Sequence, residues 1–211
     1  VSKHGYDNDY GSVTQILGVL RKIGLEWWFK INTPKSCDEE SSKSKEIGTK
    51  IHEVIQAHIE KDMLTIETKY EEEVSNALKS FMLFRKEHPE IKLHKSEMPL
   101  TSKKYEYNGT LDCKGNDGVE VILDWKTGKC KKKSKPPIYD EYLYQVSAYV
   151  SAYNEQEKAN IERAYILSIA KDRIAYNLKL LETKQLKECF NEVFLSALKI
   201  FNYQKRKNNA R

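Results

Sequence analysis

The stretch that most restricts this chain runs from Gly109 to Lys129, Gly-Thr-Leu-Asp-Cys-Lys-Gly-Asn-Asp-Gly-Val-Glu-Val-Ile-Leu-Asp-Trp-Lys-Thr-Gly-Lys. It predicts a β-hairpin, with Asp112 on one strand, a connection around Gly115-Asn-Asp-Gly118, and Asp124 with Lys126 on the next strand. Residues two apart on a strand share a face, so Asp124 and Lys126 are expected side by side. Val119, Val121, Leu123 and Trp125 then take the opposite face, the expected core side. Acids and lysines on a solvent-facing hairpin are commonplace. Here, however, Ile122-Leu123 runs directly into Asp124, so the acid leaves an apolar strand, and Asp112 arrives from the partner strand. Two carboxylates beside one ammonium suit a hard divalent cation. Such a cation can polarise a phosphate ester and activate water, while Lys126 stabilises developing negative charge.

The rest of the chain reads as a helical front, about 1–90, and a mixed core, about 91–211. Ser12 or Thr14 can cap a short helix through Arg21, followed by an aromatic patch at Trp27, Trp28 and Phe29. Residues 33–46 read as a loop passing into a helix. Ile51, Val54, Ile55 and Ile59 recur at helical spacing and predict an amphipathic helix from Ile47 to about Lys61. Val74, Ala77, Leu78, Phe81 and Phe84 predict a second helix over about 70–87, ended by Pro89. Strands are expected near 92–100, 105–114 and 119–127, a helix over 139–154, strands near 162–170 and 173–181, and a last helix over 183–204. At 211 residues the chain can bury one good core, so a single domain is expected.

These motifs, in this order, resemble the PD-(D/E)XK nuclease superfamily in its RecB-like exonuclease branch. That branch combines G-x-x-D, D-x-K-T-G and Q-x-x-x-Y, matched by Gly109–Asp112, Asp124–Gly128 and Gln145–Tyr149. An upstream G-x-x-x-H is matched by Gly48-Thr-Lys-Ile-His52. The Ser-Val-Thr-x-Ile-Leu opening, Ser12–Leu17, is similar to phage and bacterial members and to the mitochondrial genome-maintenance exonuclease. The resemblance runs from about residue 12 to about 170. It implies an α/β fold, a restriction-endonuclease-like core whose mixed central sheet is flanked by helices. It also implies Mg2+ or Mn2+ held by His52, Asp112, Asp124 and the backbone carbonyl of Trp125, with Lys126 catalytic.

Several residues carry a second reading beside the functional one. His52 lies at the edge of the Ile51–Ile55 stripe, where a structural histidine is common; the ligand role comes from the resemblance, and imidazole suits Mn2+ better than Mg2+. Glu97 fits either a solvent-facing strand position or a supporting acid beside the metal and Lys126. Gln145 and Tyr149 stack four apart on a helix and, with Tyr142 and Tyr153, could equally form a core face. As functional groups, Gln145 offers an amide to a phosphate, a base or Lys126, and Tyr149 offers a DNA-contacting ring and hydroxyl. The cluster Lys129, Lys131, Lys132, Lys133 and Lys135 begins three residues after Lys126. Charge runs are usually solvated loops, but a polyanion passing the metal would gain from this one by counterion release.

Thirty-six basic against 31 acidic residues leave a net charge of +5, too mild to identify a nucleic-acid binder by itself. The chain shows no membrane-spanning apolar run, and the region of Lys3, His4 and Asp7 shows no signal-peptide core, so a cytoplasmic protein acting on nucleoid DNA is expected. Cys37, Cys113, Cys130 and Cys189 are too dispersed for a zinc knuckle or a disulfide framework. Some RecB-like nucleases carry an iron–sulfur cluster on one upstream and three C-terminal cysteines. Only Cys189 follows the core here, so no cluster is expected. The favoured function is a metal-dependent exonuclease on linear DNA of single-stranded character, working with or without recombination or replication proteins. A structure-selective endonuclease and an inactive nucleic-acid-binding module are the alternatives.

Overall fold

A computed structural model describes residues 6, 8–62, 68–130 and 134–209. The fold is α/β, with a mixed sheet flanked by helices on both faces. Strand β1 (Gly11–Ser12) leads into α1 (Val13–Leu17), α2 (Ile23–Ile31), α3 (Pro34–Glu60) and α4 (Glu71–Glu87). Three antiparallel neighbours follow, β2 (Lys92–Ser102), β3 (Tyr107–Asn116) and β4 (Glu120–Gly128). Helix α5 (Asp140–Glu157) crosses over to β5 (Arg163–Ala170), parallel to β4, and β6 (Tyr176–Glu182) pairs antiparallel with β5. The chain closes with α6 (Thr183–Glu188), a π-helical turn (Cys189–Phe194) and α7 (Leu195–Asn209).

The sheet separates two apolar cores. On one side α3 and α4 bring Ile51, Ile55, Phe81 and Phe84 against Cys113, Leu123 and Trp125. On the other, α1, α5 and the C-terminal helices bring Ile16, Val146, Tyr149 and Phe194 against Leu111, Ile122 and Ile166. A strand buried on both faces reads as a continuous apolar run, as β4 does from Val121 to Trp125. The expectation that only the Val119–Trp125 face is core is therefore corrected. Val119 is half-exposed in the turn, and Ile122 and Asp124 on the other face are fully buried.

The register of β3 creates the feature on which the site depends. At its start, Tyr107 and Asn108 pair with β1; at its end, Cys113–Asn116 pair with β4. Between these partners, Gly109–Asp112 have, among the described residues, no strand beside them on that edge. The G-x-x-D segment therefore lines a gap where β3 and β4 diverge.

Two local expectations fail for identifiable reasons. Residues 33–46 are helical, because Thr33 caps α3 by accepting from the Ser36 N–H at 3.3 Å and Pro34 occupies the first helical position. The helix predicted through Arg21 stops at Leu17, after a capping box between Ser12 and Gln15, and the aromatic patch forms the separate helix α2. The other strands and helices fall within a few residues of their expected bounds, except β1, a two-residue strand with no counterpart in the sequence pattern.

Two motif glycines have opposite physical meanings. A Cβ on Gly109 would stand 2.7 Å from Cε1 of the buried Tyr149 ring, whose hydroxyl is held by Gln145. A Cβ on Gly48 would meet only Thr127 Oγ1, at an ordinary 3.6 Å. Gly109→Ala should therefore destabilise by about 1–3 kcal/mol through overpacking, whereas Gly48→Ala should stabilise by about 0.5–1 kcal/mol through helix propensity. Paired urea melts check this, and equal effects of the two substitutions would contradict it.

Candidate active site

Asp112 organises the gap. Its Oδ2 accepts the backbone N–H of Trp125 at 2.8 Å, just beyond the last β3–β4 pair, Cys113 with Leu123. The carboxylate thus satisfies a strand donor that its lost ladder partner would have met. In an extended strand the N–H and C=O of one residue point to the same edge, so the Trp125 carbonyl faces this gap too. Asp112 Oδ1 lies 3.7 Å from His52 Nδ1, which reaches across from α3, and Glu97 Oε1 lies 3.8 Å from the same nitrogen. The His52 ring meets Trp125 edge-on at 6.3 Å, which fixes its approach.

Glu97 arrives through an unusual backbone. Ser96 pairs with Cys113 and Met98 with Leu111, so Glu97 falls opposite Asp112. Its φ of 48° is left-handed, inside a strand and on a residue other than glycine. That conformation costs roughly 1–2 kcal/mol, and strain of this kind gathers at functional sites. Here it delivers the carboxylate to His52. One ligand atom from each of His52, Glu97 and Asp112 lies within 4.8 Å of the others, the spacing of a metal-binding group.

Asp124 and Lys126 form the second half. They share a strand face as expected, with Lys126 Nζ 2.6 Å from Asp124 Oδ2. Asp124 is fully buried, and neither of its oxygens has an aligned hydrogen-bond donor. Burial pushes its carboxyl well above the usual range, against the attraction of Lys126. At Lys126 the balance is opposite: burial lowers the pKa, but Asp124 and Asp112 outweigh it and hold the ammonium charged. At His52 burial also lowers the pKa, and Asp112 with Glu97 raise it further than burial lowers it, to a net increase. The increases at Lys126 and His52 come from the neighbouring carboxylates and that at Asp124 first from its own burial; a cation would offset both the crowded negative charge and the cost of burying it. Imidazole nitrogen and carboxylate oxygens are donors that Mn2+ accepts, and Mg2+ with more reluctance for the nitrogen. The residues fit such an ion.

The remaining sequence candidates divide. Gln145 Nε2 donates to Tyr149 Oη at 2.6 Å, so the pair is stacked on α5 beside the site. Tyr149 is only 5% exposed; it is a buried ring that positions Gln145, in place of the open stacking surface expected for DNA contact. Tyr142 places its ring 5.7 Å from Lys126 Nζ. Lys129 is exposed but ion-paired with Glu40 of α3 at 3.0 Å. Lys131, Lys132 and Lys133 lie outside the described residues. Glu97, expected as a supporting acid, converges with His52 and Asp112, whereas Asp124, expected as a ligand beside them, turns its carboxylate to Lys126. Sequence pattern carried no signal for the Glu97 backbone. It also missed Lys171, a buried lysine next to the end of β4. Among the described residues no helix is long and apolar enough to cross a membrane.

Comparison with solved structures returns nucleases among loosely superposing chains. LHK-Exo of Laribacter hongkongensis, solved in complex with dAMP, is 11% identical over 95% of this chain and 94% of its own, with a TM-score of 0.43. A phage-related exonuclease from Haemophilus somnus 129PT is 14% identical over 76% of this chain and 82% of its own, with a TM-score of 0.42. SSO0001 is 14% identical over 55% of this chain, which spans 57% of the SSO0001 chain, with a TM-score of 0.30. No protein-family model matches the sequence, and no curated protein matches it.

Proposed function

We propose that the chain is a metal-dependent deoxyribonuclease of the RecB-like PD-(D/E)XK group that hydrolyses phosphodiester bonds, with an end-dependent, exonucleolytic mode on DNA of single-stranded character. The observation that carries this reading is the meeting of His52, Glu97 and Asp112 beside the buried Asp124–Lys126 pair, in the gap where β3 and β4 diverge. His52, Glu97 and Asp112, with the Trp125 carbonyl, would hold Mg2+ or Mn2+, and Asp124 would join them by sharing its carboxylate between the ion and Lys126. Such an ion, when bound, supplies Lewis acidity and charge neutralisation at a phosphate oxygen. Lys126 donates to the phosphoryl oxygens as negative charge builds during in-line attack by water, and its ion pair with Asp124 fixes where the ammonium sits. Gln145, held by Tyr149, is placed to orient the phosphate or Lys126. The water oxygen bonds to phosphorus as the ester P–O bond breaks; the water gives up one proton, and in the net reaction the departing oxygen takes up one.

Four measurements test this. Asp124→Asn removes charge with little change in volume and should abolish cleavage; cutting at the wild-type rate would overturn the assignment. Glu97→Gly removes a donor but relaxes a left-handed backbone, a conformation glycine adopts freely. It should leave the melting temperature unchanged or raised while Mn2+ affinity, read by calorimetry, falls at least about tenfold.

Lys126→Ala should lower kcat by about a hundredfold or more, with little change in KM, since its contact strengthens in the transition state. An effect confined to KM would move the catalytic centre elsewhere. Finally, linear single-stranded DNA should be degraded in Mg2+ or Mn2+, spared in EDTA, and spared when closed into a circle. Rapid nicking of the circle would favour the endonuclease alternative.

A further inference from the structure

Lys171 is the first residue beyond β5, and its backbone N–H donates to the Gly128 carbonyl at 3.0 Å, locking it beside the end of β4. Its side chain turns inward and the residue is only 5% exposed. Lysines with a long apolar stem normally carry the ammonium out to water, and buried ones are normally paired with a carboxylate. This one has the Ser44 hydroxyl at 3.4 Å and, among the described residues, no carboxylate partner. The nearby acids are engaged elsewhere: Glu40 with Lys129 at 3.0 Å and Glu73 with Lys43 at 3.3 Å. Among the described residues, three ammonium groups here therefore face two carboxylates, and the surplus charge rests on the most buried of the three. Burial first, and Lys129 second, hold the Lys171 pKa below its ordinary value.

The position of this charge relates it to the site. Along α3, steps of four residues meet successive parts of the sheet's end: His52 meets Asp112, Gly48 lies over Thr127, Ser44 meets Lys171, and Glu40 meets Lys129. At 1.5 Å per residue, Ser44 lies about 12 Å along the helix from His52. One strand of B-form DNA carries a charge about every 3.4 Å of axis, so that interval spans more than one phosphate. The glycine between them adds no side chain to the lane.

We infer that Lys171 and Ser44 form a second anion site, which receives a backbone phosphate of the bound strand away from the point of cleavage. The inference rests on the nuclease reading above. A phosphate oxygen would accept from the ammonium as a point charge. The Ser44 hydroxyl would turn its proton to the same group, a contact that positions a strand without reading its bases.

The test is equilibrium binding of a fluorescent oligothymidylate in EDTA, where nothing is cleaved, to the wild type, Lys171→Met and Lys171→Arg across a salt series. Lys171→Met should bind about tenfold more weakly, with a slope of log K against log salt shallower by about 0.7, the share of one phosphate contact on a single strand. Lys171→Arg should keep the slope. The melting temperature of Lys171→Met should not fall, because it removes a buried charge that has no carboxylate partner. Wild-type affinity and slope in Lys171→Met would overturn the inference. So would a marked loss of stability with no rescue by arginine, which would make Lys171 a structural residue. A wild type that neither binds the oligonucleotide nor cuts linear DNA would instead remove the nuclease reading itself.

Discussion

The site exists because β3 cannot keep one partner along its whole length. β1 claims its first residues and β4 its last, and the intervening Gly109–Asp112 edge is left without a strand. An unpaired strand edge would leave polar backbone groups unmet in the interior. Asp112 answers one of them by accepting the Trp125 N–H, so the same carboxylate that faces His52 also sets the divergence of β3 from β4. Structure and chemistry are coupled at this residue: removing its charge would loosen the strand gap as well as the candidate metal group.

Charge is distributed unevenly around that gap. Inside it, Asp112, Asp124 and Glu97 outnumber Lys126, and the fully buried Asp124 has no aligned donor. Just past the strand ends the imbalance reverses, with Lys171 in excess over Glu40 and Glu73. A cluster of carboxylates next to an excess lysine gives the strand ends two neighbouring regions of opposite charge, the arrangement on which the proposed function rests. Mean composition hides this, because a net charge of +5 spread over 211 residues is unremarkable.

The two cores explain how such charge is tolerated. α3 and α4 seal one face of the sheet around Trp125 and Phe81, and α5 with the C-terminal helices seals the other around Tyr149 and Phe194. Asp124 therefore sits in a strand with apolar neighbours on either side, where its burial is enforced by packing and its charge is relieved by Lys126, by a cation or by taking up a proton. Cys113 and Cys189 are taken up by opposite cores, where they serve as small apolar side chains.

Much of this was legible in local pattern. The turn at Asn116–Gly118, the two-residue spacing of Asp124 and Lys126, the helical spacing of Ile51, Val54 and Ile55, and the four-residue stacking of Gln145 on Tyr149 depend on neighbours close in the chain, and periodicity reports them directly. Even the missed start of α3 had its signal in Thr33-Pro34. What tertiary structure decided were the meetings between distant segments. The gap between β1 and β4 depends on strand register; the left-handed turn at Glu97 depends on its place opposite Asp112; the burial of Asp124 depends on helices on both faces; and the surplus charge on Lys171 depends on which acids other lysines had already engaged. None of these has a period, so sequence by itself determined the parts of the site and only folding decided their distances and charge balance.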